Sequence, residues 1–244
     1  MRNDLGSGLF WTDAGTISYA QGLALQEQFH KLSKADEKFG MIIKLEHHPV
    51  LTLGKNALAE HLLMSRETFA QKNITVYDTD RGGEVTAHMP GQLVVYPVLN
   101  ITALNFTPKK YVAFLLGCVC EALKKFGVDG KASDEFPGVW VDREKICAVG
   151  VRFKERVTQH GIAININNDL ALFNHIVPCG LTGLGVTSLA KVTKTPATIN
   201  DFWPVLLAEF TRILGPIAPT ETPLVNCGAS AYDTPKSNAQ MTSF

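Results

Sequence analysis

The sequence has no surplus of charge of either sign. Its 244 residues carry 23 Lys and Arg against 23 Asp and Glu, so the formal net charge is zero. That removes the global positive field expected of a nucleic-acid-binding chain, and any steering of a charged partner must come from a local patch. Long apolar runs are also missing. No stretch approaches the ~20 apolar residues of a membrane span, and the opening MRNDLGSGLFWTDAG lacks the apolar core of a signal peptide. Cysteine is scarce and odd in number: Cys118, Cys120, Cys147, Cys179 and Cys227, with no CxxC pair. This argues against a disulfide framework or a zinc site and points to a reducing compartment, the cytoplasm. Neither a Walker A loop nor a GxGxxG fingerprint occurs.

What is present is an ordinary globular composition, 45% hydrophobic and 19% charged, enough for a sizeable core. One domain is expected over 1–216. At about 217 the composition shifts to Pro, Ser, Thr and Asn, so 217–244 reads as a tail. A helix with a broad apolar face is expected from Ile17 to Leu32. MIIKLEHHPVLTLG, NITVYDTD and GQLVVYPVLNI read as extended. TPKKYVAFLLGCVCEALKKFG reads as a helix, with Thr107 as N-cap, Pro108 in the first turn and Gly127 at its end. GVWVDREKICAVGVRF reads as two strands joined at Asp142-Arg143-Glu144, and HGIAINI as another strand. NDFWPVLLAEFTRILG reads as a closing helix, provided Pro204 lies in its first turn. Hairpins mixed with helices point to an α+β fold: mixed β-sheets with packed helices.

Three segments invite chemistry. RGGEVTAHMPGQ, Arg81 to Gln92, is a glycine-rich loop where a ligand can approach the backbone of Gly82 and Gly83. Arg81 in it can anchor an anion or lock the loop, and an unliganded hairpin explains the glycines equally well. EHHP, Glu46 to Pro49, resembles a metal cluster, but His47 and His48 point to opposite sides of an extended segment, so no metal site is expected. Cys179 lies between Pro178 and Gly180, a setting that can present a thiol at a pocket edge, where a nearby ammonium favours the reactive thiolate. Lys145 opens the strand KICAVGV and reads by default as solvated. In a regular strand Cys147 alternates to the same side as Lys145, which makes it the rival thiol.

Taken together, EHHPVLTLG, RGGEVTAHMPGQLVVYPVL, KICAVGV, HGIAINI and PCGLTGLGVTSL follow the order and spacing of the octanoyltransferases of lipoate biosynthesis, also called lipoyl(octanoyl) transferases. The chain resembles that family over about residues 15–215. The resemblance implies the catalytic domain shared by biotin and lipoate protein ligases. It implies transfer of an octanoyl (or lipoyl) group from acyl carrier protein to a lysine of a lipoyl domain, in 2-oxoacid dehydrogenase complexes and the glycine cleavage H protein. It assigns the acyl thioester to Cys179 and its activation to Lys145. It lines the acyl and pantetheine pocket with Arg81, Gly82, Gly83, Glu84, Val85, Thr86, Ala87 and His88. Ala148, Val149 and Gly150, then Gly161, Ile162 and Ala163, complete that lining. The chain departs from the family pattern at Glu84, where an amide is usual, at Ala87, where an aromatic ring is usual, and at Met89, where glycine is usual.

No ATP, other cofactor, metal, nucleic acid or membrane enters this reading. The main alternative is an ATP-dependent lipoate protein ligase of the same fold. Others are a non-catalytic acyl-carrier-binding module and an amidotransferase that takes its octanoate from another carrier domain. Acidic partners would suit a basic face from Arg143, Arg152, Lys154 and Arg156, which a solvated strand edge explains equally well.

Overall fold

The computed structural model describes residues 8–177 and 184–221. In chain order the elements are β1 (Leu9–Ile17), α1 (Tyr19–Ala35), β2 (Gly40–His47), β3 (Val50–Leu53), α2 (Arg66–Gln71), β4 (Thr75–Asp78), β5 (Val85–His88) and β6 (Gln92–Val98). There follow α3 (Pro108–Lys125), β7 (Lys131–Ser133), β8 (Gly138–Val141), β9 (Glu144–Lys154) and β10 (Val157–Asn165). The chain closes with β11 (Gly185–Val186), α4 (Leu189–Thr193), α5 (Ile199–Leu214) and β12 (Ile217–Pro219).

A large mixed sheet runs β12-β1-β2-β6-β10-β9-β8-β7, with β11 added beside β9. A small sheet runs β4-β3-β5. The central strands β6 and β10 are buried along their whole length, and their two-residue period divides them between two cores. Leu93, Val95, Ile162 and Ile164 face α3 and α5, among Leu115, Val119, Phe202 and Phe210. Val94, Tyr96 and Val98 face the other side, with Leu25 and Phe29 of α1. A third cluster, Leu51, Val85, Ala87, Phe69 and Phe173, sits under the small sheet.

Local chemistry explains the helix starts. Ser18 and Gln21 form a reciprocal capping box at α1. Thr107 caps α3, with Pro108 in its first turn. In α5 the expected limit on Pro204 does not hold. Thr198 is the N-cap, so Pro204 lies beyond the first turn. The missing N–H frees the carbonyl of Asn200, which is exposed and open to water. Ile217–Pro219, grouped by composition with the tail, pairs in parallel with β1 as the edge strand β12. No helix among the described residues is long and apolar enough to cross a membrane.

Candidate active site

A cavity of about 550 Å³ opens where the small sheet meets β6, β9 and β10. Its volume lies within the range of small-molecule sites. The loop at 81–84 forms one wall, and Gly150 lets it approach β9. A Cβ at Gly150 would lie 2.9 Å from the Gly82 carbonyl oxygen and 3.1 Å from Arg81 Cδ. Gly82 N–H donates to the Val151 carbonyl at 3.0 Å and closes the contact.

Arg81 is buried, and its guanidinium spans the loop. Nε donates to Thr52 Oγ1 at 3.0 Å, one terminal nitrogen to the carbonyls of Thr52 and Glu84 at 2.6 Å each, and the other to the Gly82 carbonyl at 2.9 Å. Of the two roles open to it, this geometry is that of a lock.

Two buried histidines, His88 and His160, line the cavity, and a third, His47, packs against His88. His88 Nδ1–H donates to Gln92 Oε1 at 2.8 Å, and burial, then neighbouring His47, holds its pKa down to about 3. His47 donates through Nδ1 to the Ile17 carbonyl at 3.1 Å and accepts from the Tyr96 hydroxyl at 2.9 Å. Burial lowers its pKa to about 4. His48 next to it is exposed, and among the described residues no group of three or more His, Cys, Asp or Glu could hold a metal ion. His160 takes a left-handed backbone conformation, φ 57°, and donates through Nε2 to Asp80 Oδ1 at 3.0 Å. Burial lowers the His160 pKa. The hydrogen bond from His160 lowers that of Asp80, with Arg152 nearby adding to it.

A buried chain of amides crosses the cavity. Gln92 donates to Asn165 Oδ1 at 2.9 Å, Asn165 to the Thr187 carbonyl at 2.9 Å, and Thr187 N–H to the Lys145 carbonyl at 3.0 Å. Lys145 is only 7% exposed, against the solvated default, and its Nζ donates to the Pro137 carbonyl at 3.2 Å. Cys147 does not share its side. The pairing of β8 with β9 slips between Val139 and Trp140, a bulge that reverses the alternation. Lys145, Ala148 and Gly150 line the cavity, whereas Ile146 and Cys147 are packed in the core against α3. Burial pushes the Cys147 thiol well up and that of Cys118 up to about 12. Burial raises Cys120 too.

Arg81, Gly82, Gly83, Glu84, Val85, Thr86, His88, Lys145, Ala148, Val149, Gly150, Gly161, Ile162 and Ala163 all line this cavity. Ala87 instead packs under the small sheet, as does Met89, whose sulfur accepts from Asn168 at 3.0 Å. Of the three unusual positions, only Glu84 reaches the cavity. Its Oε2 lies 3.2 Å from His61 Nδ1, but the two buried atoms are out of line for a hydrogen bond. Cys179 lies outside the described residues. Its flanks do not. Val177 N–H donates to the His61 carbonyl at 2.9 Å, and Val186 pairs in register with Lys145. Tyr19, Gln92, Tyr96, Phe136 and Asn165 line the cavity as well, outside the residues that the resemblance assigns to it. A lone polar residue on an otherwise apolar strand, as at Gln92, Tyr96 and Asn165, was the available signal.

Of the four residues proposed as a basic face, Arg152 is paired with Asp80 and Lys154 lies 3.8 Å from Glu27. Arg143 and Arg156 are exposed.

The two-sheet fold with its cavity is that of a known catalytic domain, as comparison with known proteins shows. Residues 18–211 match the model of the lipoyl protein ligase A/B catalytic domain, and the chain belongs to that family. It is 40% identical over 185 residues to an octanoyltransferase of Dictyoglomus thermophilum, covering 76% of this chain and 78% of that protein. It is 36% identical over 201 residues to an octanoyltransferase of Caldicellulosiruptor saccharolyticus, covering 82% and 86%. The activity that these relatives carry is octanoyl transfer in lipoate biosynthesis, and the chain is an acyltransferase. Among solved structures, a lipoate-protein ligase A bound with ATP superposes with a TM-score of 0.74 at 14% identity, covering 90% of each chain, and shares the fold.

Proposed function

We propose that the chain transfers an octanoyl group from acyl carrier protein to a lysine of a lipoyl domain, through a thioester on Cys179. In the first step the Cys179 thiolate attacks the carbonyl of the donor thioester. A new S–C bond forms, the carrier's S–C bond breaks, and the carrier leaves as its phosphopantetheine thiol, protonated by the Lys145 ammonium, which becomes the neutral amine. In the second step the acceptor amine attacks the acyl-enzyme. An amide forms, the S–C bond to Cys179 breaks, and the thiolate returns. The Lys145 ammonium stabilises the thiolate in the first step. As the neutral amine, Lys145 takes the proton that the acceptor releases in the second.

The observation that carries this reading is the setting of Lys145. It is buried in the cavity wall and paired with Val186, seven residues after Cys179. The three cysteines among the described residues all have raised thiol pKa values, which speaks against each as the nucleophile. The apolar wall of Val85, Val149, Ile162 and Phe136 suits an alkyl chain, whose burial stabilises by about 0.8 kcal/mol per methylene. The acceptors in this reading are lipoyl domains of 2-oxoacid dehydrogenase complexes and the glycine cleavage H protein. The compartment is the cytoplasm, where thiols stay reduced.

The test is transfer to an isolated lipoyl domain from octanoyl-acyl carrier protein, and separately from free octanoate with and without ATP. Transfer from the carrier without ATP, lost in Cys179→Ala and Lys145→Ala, is expected. Transfer only from free octanoate with ATP identifies a ligase instead.

A further inference from the structure

A lysine carries a long flexible stem, so holding its ammonium at one point requires a sleeve. β8 and the turn before it supply one. The slipped register sets Trp140 opposite Lys145, and the ammonium lies over the indole, 4.8 Å from the ring centroid. That is inside the ~6 Å at which a ring face attracts a cation. Nζ also donates to the Pro137 carbonyl at 3.2 Å. Trp140 fixes that turn as well, because its Nε1–H, the single donor of the indole, donates to the Phe136 carbonyl at 2.9 Å. Gly138, with φ 149°, lets β8 lie close on β9 and the lysine stem: a Cβ there would lie 2.6 Å from the Cys147 carbonyl oxygen and 3.2 Å from Lys145 Cε.

We propose that Trp140 is a positioning residue for the transfer reaction: its ring face, and the Phe136–Pro137 turn tied down by its indole, hold the Lys145 ammonium in the cavity wall. The proposal rests on the reading of Lys145 and Cys179 given above. Trp140 is half-buried and is absent from the cavity lining. It acts through Lys145 and through Phe136, which does line the cavity.

Single-turnover octanoyl loading, followed by intact mass, tests the proposal on the full chain. The proteins are the parent, Lys145→Ala, Trp140→Phe and Trp140→Leu. Two more carry 5-fluorotryptophan or 5,6,7-trifluorotryptophan at position 140 alone. Fluorine weakens the ring face for a cation but strengthens the indole N–H as a donor, so it separates the two holds without altering the fold. Trp140→Leu is expected to load about tenfold more slowly at saturating donor, with the half-saturating donor concentration unchanged. Trp140→Phe should recover part of the rate, and the fluorinated proteins should slow in order of fluorine number. Loading by Trp140→Leu at the parent rate overturns the role of Trp140, and a rate indifferent to fluorine overturns the hold by its ring face. Parent-like loading by Lys145→Ala instead overturns the reading beneath it.

Discussion

Two histidines buried in the neutral form make this fold sensitive to mild acid. His88 titrates at about 3 and His47 at about 4 in the folded protein, both because burial opposes the charged ring. In the unfolded chain both titrate near the ordinary value of about 6.5. Between those limits the unfolded state binds more protons, so folding stability is lost as the pH falls below about 6.5. Each histidine contributes a slope of about 1.4 kcal/mol per pH unit until its folded pKa is reached. At pH 5 the two together remove on the order of 4 kcal/mol, a large part of a typical domain stability of about 5–15 kcal/mol. Buried His160 acts in the same direction. Asp80, held below its ordinary range, adds a loss at lower pH still. Urea unfolding at pH 7, 6 and 5 measures the slope. His88→Asn retains an amide donor for Gln92 but cannot titrate, so it should remove about half of the two-histidine slope. A variant whose stability falls with pH in parallel with the parent would refute the assignment of this acid loss to His88.

Other outcomes follow from the same contacts. Gly150→Ala places a methyl against the Gly82 carbonyl, 2.9 Å away on the unshifted backbone. It should lower the unfolding free energy by about 1–3 kcal/mol and slow octanoyl transfer through the displaced 81–84 loop, as read by urea midpoint and transfer rate. Cys147→Ala should cost about 1–2 kcal/mol in stability yet still form the octanoyl adduct, as intact mass would show. Loss of the adduct in that variant, with the fold intact by circular dichroism, would make Cys147 the nucleophile.

The elements were legible where one residue type does one local job. Thr107 and Pro108 mark the start of α3, and the apolar, β-branched run Leu93-Val94-Val95 marks a buried strand. The loop of Arg81 to His88 and the steps at 148–150 and 161–163 were legible as motifs, and all but Ala87 meet in one cavity. What escaped depends on contacts that no local pattern encodes. A strict period of two sets Cys147 on the side of Lys145, and the bulge opposite Trp140 adds the residue that breaks it. Tyr96, Gln92 and Asn165 are single polar residues in apolar strands, and only the pairing of β6 with β10 sets them around a common space. Proline is costly past the first turn of a helix, but Pro204 and the Asn200 carbonyl it leaves unpaired lie on the exposed face.

In the proposed reaction an acyl group passes through Cys179 under the control of Lys145. The protein should be incubated with octanoyl-acyl carrier protein in the absence of ATP, weighed intact and mapped by peptide. The account predicts one octanoyl adduct, labile to hydroxylamine, on Cys179 and missing in Cys179→Ala. An unmodified protein that nonetheless transfers octanoate to a lipoyl domain, or an adduct that survives Cys179→Ala, would contradict it.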